Sequence, residues 1–173
     1  MLSFASIALA AASAAASPAP MSTTSWWERI TVTYDGAGLE RSCDYETSFS
    51  RSGPQRCEVE TAPASMRKCP GGVAGVQTKI TFERRFTPGA PRDLDSLKPG
   101  DTFLGGHVMM VAIGRDGSVS GCSIVAASGE ARPAYGCEQV RAERFQASAG
   151  GAARESQVGF LTVFVYGHEE EIV

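Results

Sequence analysis

The chain has 173 residues, with 16 basic against 19 acidic side chains and a formal net charge of -3. That balance provides no basic field to draw in nucleic acid or an anionic lipid surface, and it excludes both as expected partners. Five cysteines in a chain of this size point instead toward disulfide chemistry.

Residues 1–20 carry no charged side chain, and residues 2–16 form an Ala-rich apolar run ending in small residues. This is the pattern of a secretory signal peptide, with cleavage expected near Ala16 because Ala14 and Ala16 fill the small-x-small positions. An uncleaved anchor is the rival reading, but about 15 mostly Ala residues fall short of the roughly 20 that cross a bilayer. The expected location is therefore outside the cytoplasm, in the periplasm or secreted, with no stable transmembrane anchor. The remaining chain, about 155 residues, suits one ordinary domain or two very small ones. Small exported domains commonly add disulfides worth roughly 2 to 4 kcal/mol each.

Beyond the leader, Ile30, Val32 and Tyr34 alternate with Thr31 and Thr33, the period of a half-buried strand. Asp35-Gly36-Ala37-Gly38 makes a turn, and residues 39–45 return as a second strand. Residues 48–54 are polar and end where a helix can start, which would carry Cys57. Residues 62–75 contain Pro63, Pro70 and three Gly, so any helix there is short or irregular. Val76, Thr78, Ile80 and Phe82 then alternate strictly with Gln77, Lys79, Thr81 and Glu83, which predicts a strand.

Residues 87–102 carry Pro88, Pro91 and Pro99 among Gly and charged residues, the composition of a linker. Residues 108–113 are apolar, Arg115-Asp116-Gly117 is a hairpin turn that favours positive φ, and residues 119–125 return. Pro133 stands in the first turn of a helix expected to run to about Phe145. A Gly/Ala loop over residues 148–157 leads to a last strand, 160–166, of strongly β-forming residues.

Gly117 follows Gly38 by 79 positions, Cys122 follows Cys43 by 79, Cys137 follows Cys57 by 80 and Val158 follows Val76 by 82. Near-constant offsets indicate an internal repeat. The expected fold is α+β, made of two tandem ββαβ modules, each a small antiparallel sheet with one helix packed on it and stapled by a disulfide. Residues 25–86 would form the first module, 87–104 the linker, 105–167 the second module and 168–173 an acidic tail.

Catalytic constellations are missing from this pattern. His107 opens a strand, and His168 lies in the acidic run His168-Glu169-Glu170-Glu171, where it reads as a solvated residue rather than a base. Gly71-Gly72 and Gly105-Gly106 lack the following Lys-Ser/Thr of a phosphate cradle. There is no Cys-x-x-Cys and the two histidines are isolated, so neither a metal nor another cofactor is expected. The chain reads as noncatalytic. Its rivals are a small secreted enzyme or enzyme accessory using Trp26, Trp27 and a histidine, and a purely structural envelope protein; the Trp pair is more simply a lid on the core.

The second half runs Val111-Ala112-Ile113-Gly114-Arg115-Asp116-Gly117-Ser118-Val119, then Cys122-Ser123-Ile124-Val125, Ala127-Ser128-Gly129, Arg144-Phe145-Gln146-Ala147 and a closing apolar strand. It resembles the TonB C-terminal domain family, whose pattern is a hydrophobic strand, Asp-Gly-x-Val, a second strand ending near Ser-Ser-Gly, a helix, an Arg-Phe-x-Pro-like exit and a last strand. The resemblance covers residues 106–166, and the first half matches only in degenerate form. It implies a periplasmic module of energy-coupled transport that takes up an extended peptide by adding a strand. The implied partners are an outer-membrane receptor or a motor component, with self-association as the other expectation.

The cysteine pair, one after the Asp-Gly turn and one on the helix, looks like a variant of that family with a built-in disulfide. A strand facing its helix keeps Cα atoms within roughly 7 Å, so Cys122–Cys137 and Cys43–Cys57 are the expected pairs. Cys69 is left over, to pair with Cys43 or Cys57, to bridge two chains or to stay a thiol.

In the last strand, Phe160, Phe164 and Tyr166 face one side while Leu161, Val163 and Val165 face the other. An edge strand with one open face should be polar there. Two apolar faces mean that the strand packs on the other module, a partner or a second copy, or that it is central. Phe160, Leu161, Val163, Val165 and Tyr166 are accordingly the candidate peptide- or partner-binding residues.

Overall fold

The computed structural model describes residues 21–51, 53–57, 76–90, 97–146 and 157–171. The leader, residues 62–75 with Cys69, and residues 147–156 lie outside the described residues. Where β-branched and aromatic residues alternate with polar ones, strands form: β1 Trp26–Tyr34, β2 Glu40–Thr47, β4 Val76–Pro88, β5 Asp101–Ile113, β6 Val119–Gly129 and β7 Gln157–Glu171, with a two-residue β3, Gln55–Arg56, between β2 and β4. All pairings between these strands are antiparallel, and the order across the sheet is β3-β2-β1-β4-β7-β5-β6.

This single sheet corrects the expectation of an α+β fold with two tandem ββαβ modules. The strand that joins the halves is β7, which pairs along all 13 residues of β4 on one side and from Asp101 to Ile113 of β5 on the other. Among the described residues no helix carries Cys57. Gln55 and Arg56 pair with Tyr45 and Asp44, and the Cys57 N–H donates to the Cys43 carbonyl at 3.0 Å.

The helix expected from Pro133 to Phe145 is confined to α1, Cys137–Ala142, the only helix among the described residues. Gly136 enters it from extended backbone (φ -141°, ψ -164°), and Glu143 leaves it in extended backbone again. Arg144 and Phe145 then bridge to Ser118 and Met21 instead of continuing the helix. Six residues are too few for an independent helix; tertiary contacts hold this one, with Val140 fully buried and Cys137 disulfide-bonded to Cys122 of β6.

Register assigns the faces. One row across the sheet runs Trp26, Phe86, Leu161, Met109, Ile124, and the next runs Glu28, Arg84, Val163, His107. On this face α1 and Phe145 close a core of Trp26, Phe86, Met109, Val111, Ile113, Val140, Leu161 and Val163. Each large apolar side chain buried there contributes about 1.5 to 3 kcal/mol. Phe86 lies stacked against Trp26, at a centroid separation of 6.2 Å, and over Gly159, where any side chain would collide with its ring. The opposite face carries Phe160, Thr162, Phe164 and Tyr166 of β7 beside Thr87, Arg85, Glu83 and Thr81 of β4.

Candidate functional site

The two hairpins, β1–β2 and β5–β6, have the same geometry. In the first, Asp35 N–H donates to the Leu39 carbonyl and Gly38 sits at φ +74°; in the second, Gly114 N–H donates to the Ser118 carbonyl and Gly117 sits at φ +77°. Only glycine adopts that left-handed conformation freely. Val32 pairs with Cys43 as Val111 pairs with Cys122, and each second strand slips by one residue near its start, at Arg41 and at Ser120. Both turns are braced by an aspartate. Leu39 N–H is the main donor that lowers the Asp35 pKa, and the Ser118 hydroxyl does the same for Asp116.

The outer edges of these hairpins differ. Glu40, Arg41, Asp44 and Glu46 put charge on half of the residues of β2, and β3 covers part of its edge, fixed there by the Cys43–Cys57 disulfide. Arg56 pairs with Asp44 at 3.8 Å. Charges and a short covering strand are the usual protection of a sheet edge against stray pairing. β6 has neither. Its 11 residues contain no charged side chain, residues 123–129 are all exposed, and among the described residues it pairs with β5 alone. Ile124 is 56% and Val125 50% exposed, and Val125 is the extra residue of a bulge between Ala126 and Ile124.

Two arginines bracket this open stretch. Arg141 of α1 donates from Nη2 to the Cys122 carbonyl at 3.1 Å, and Arg132 donates from Nη1 to the Gly129 carbonyl. Both side chains are exposed. The Cys122 carbonyl thus receives Arg141 where the corresponding Cys43 carbonyl receives the Cys57 N–H.

The sequence-predicted candidates lie elsewhere. Phe160, Leu161, Val163, Val165 and Tyr166 are all on β7, whose two edges are already hydrogen-bonded, and Leu161 and Val163 are fully buried in the core. Their backbones have no free edge to offer. Tyr166 Oη approaches Glu83 on the face opposite α1. Trp26 is buried in the core, while Trp27 points to the other face with the Arg29 guanidinium 4.5 Å from its ring. A shallow cleft of about 390 Å³ lies at this end of β1, lined by both tryptophans, Ser25, Ser48, Arg85, Phe86, Thr87 and Ala90. Arg85 is already committed to Glu83 through Nε and Nη2.

His107 and His168 are not brought together. His107 is buried beside Tyr135 and Arg132, with Nε2 lacking a hydrogen-bond partner among the described residues; burial pushes its pKa down, assisted by the Arg132 charge. His168 pairs with Asp101 at 3.0 Å at the far end of β7. A largely buried polar cluster joins Arg84 to Glu28 at 2.6 Å and Glu143 at 2.9 Å, its guanidinium 4.9 Å from the Tyr135 ring. Burial opposes the Arg84 charge, but Tyr135, Glu28 and Glu143 more than offset that, and its pKa is raised. Burial and Glu28 together push Tyr45 up to about 12. This cluster ties β1 and β4 to the segment leaving α1. No group of three or more metal-ligating side chains occurs among the described residues.

Sequence reasoning missed Ile124, Val125, Arg132 and Arg141. The available signal was the run from Val119 to Gly129, a strand without a single charge. The disulfides join Cys43 to Cys57 and Cys122 to Cys137. They fit an oxidising environment, extracellular or periplasmic. Among the described residues no helix is long and apolar enough to cross a membrane. Comparison with protein-family models, curated proteins and solved structures finds no match.

Proposed function

We propose that the chain is a noncatalytic protein-binding module of the cell envelope, exported to the periplasm, which takes up an extended segment of another envelope protein as an additional strand on β6. The observation that carries this reading is the uncharged outer edge of β6, which no strand covers among the described residues, in a molecule whose other edge is charged and capped. An exposed edge offers unpaired N–H and C=O groups to any extended peptide, and such pairing gives affinity through the main chain. The uncharged leader over residues 1–20 supports export. The resemblance to the TonB C-terminal domain supports the same class of function, since β5, the Asp-Gly turn, β6, α1 and β7 follow one another in the order that the resemblance requires.

The test is site-specific photocrosslinking in intact periplasm. A photoreactive residue at Ile124 or Val125 is expected to capture extended segments of envelope proteins, whereas one at Leu39 or Phe49, exposed to a similar degree, captures none. Equal capture at all four positions would reject β6 as the site.

A further inference from the structure

We infer that the segment accepted by β6 runs antiparallel to it, is uncharged where it crosses Ile124 and Ser123, and carries a carboxylate at its C-terminal end, opposite Cys122 and Arg141. This rests on the reading of β6 as a peptide-binding edge. The template is inside the molecule. Gln55 pairs with Tyr45, Arg56 with Asp44, and the Cys57 N–H reaches the Cys43 carbonyl. Each of those β2 residues has its counterpart 79 positions later, at Ile124, Ser123 and Cys122, as the shared hairpin register requires. A strand seated on β6 as β3 is seated on β2 therefore crosses Ile124, then Ser123, then Cys122, and ends toward α1.

The chemistry of that strand follows from what changes between the halves. Asp44, which meets Arg56, is replaced by Ser123, so the central residues of the incoming strand find no charge to pair with. At the next position the Cys122 carbonyl is held by Arg141. An incoming N–H takes over that carbonyl, as Cys57 does in the first half, and releases an exposed guanidinium at the strand's C-terminal end. Among the described residues Arg141 has no ion-pair partner, while the neighbouring Arg144 is engaged by Asp116 at 3.6 Å. A carboxylate there, from Asp, Glu or a chain terminus, gives the guanidinium the forked acceptor that it binds best. At the other end Arg132 holds the Gly129 carbonyl, so the open edge runs from Ser123 to Ser128.

The experiment titrates the folded, oxidised chain with two peptides that share an alternating Thr-Val centre, one ending in Asp-Asp and the other in Lys-Lys. The Asp-ended peptide is expected to bind about tenfold more tightly at low salt, and Arg141→Glu to reverse the preference. Ile124→Pro removes a backbone donor two residues from the outward Cys122 carbonyl, on the same edge, and should abolish binding of both. If that variant does not fold, hydrogen exchange on the wild type replaces it: the peptide must slow exchange at Ile124 and leave Tyr45 unchanged. Equal binding of the two peptides, lost in Ile124→Pro, would overturn the acidic specificity and keep the edge. No binding of either peptide would overturn both. Concentration-dependent self-association that Ile124→Pro removes would assign the edge to a second copy and overturn the peptide proposal.

Discussion

The first hairpin of this protein closes its edge and the second leaves its edge open, although turn, bulge and disulfide position agree between them. In the first, the chain after β2 returns as β3 and lies along the edge; in the second, the chain after β6 lifts onto the face as α1. Both cysteine pairs tie the returning segment to the second strand of its hairpin. The choice between edge and face thus falls to the residues that precede the second cysteine. Pro54, Gln55 and Arg56 keep extended backbone before Cys57, whereas Gly136 and Cys137 open a turn of helix whose Val140 finds the core. One disulfide framework supports a protected edge and an exposed one.

The sharpest contrast is between central and outer strands. Val163→Lys places a charge at a fully buried position beneath α1 and is expected to cost more than about 3 kcal/mol in urea unfolding, whereas Ile124→Lys, at a position 56% exposed, should change stability by less than about 0.5 kcal/mol. Equal losses would mean that β6 is covered. Removing either disulfide, by Cys43→Ser with Cys57→Ser or Cys122→Ser with Cys137→Ser, should cost about 3 kcal/mol for loops of this length. The two removals differ in hydrogen exchange: the first should speed exchange at Cys57 as β3 leaves β2, and the second should speed exchange at Val140 while leaving β3 protected.

Arg84→Met breaks the cluster that joins β1 to the exit of α1, leaving Glu28 and Glu143 side chains that are only 16% and 19% exposed. A loss of about 3 kcal/mol is expected, and Arg84→Lys should recover only part of it. The smallest effect concerns pH. His107 has a folded pKa below its ordinary 6.5, so the unfolded chain binds the extra proton first. The stability that it contributes is complete above pH 6.5 and is lost as pH falls from there through the folded pKa. His107→Gln should flatten the melting temperature across that interval, and a wild-type curve without such a slope would contradict the burial of this imidazole.

Much of the sheet was legible in local pattern. The alternation of Val76, Thr78, Ile80 and Phe82 and the Asp-Gly turn at Asp116 and Gly117 suffice to place β4 and the second hairpin, because period and turn chemistry are local properties. The joining of the two halves was not legible, since two small sheets and one large sheet satisfy the same strand pattern. The two apolar faces around Phe160 to Tyr166 did carry that information, being what a central strand requires. The two residues of β3 have no period of their own and are fixed only by pairing with Asp44 and Tyr45, which local reading turned into a helix start. The site was half legible: the missing charges of β6 stand in the sequence, but their meaning depends on β6 being outermost, which only the strand order reveals.

The β4–β7 seam also sets how the molecule is built. It pairs Val76 with Glu171 and Pro88 with Gly159, contacts 95 and 71 positions apart, whereas each hairpin closes over a few residues. Closing so large a loop costs entropy before any pairing rewards it, so the seam is expected to be the slow step, after both hairpins have formed. Until then β4 and β7 each carry an unpaired strand edge. A nascent chain in that state is open to pairing with its neighbours, and its yield on refolding should fall steeply with protein concentration.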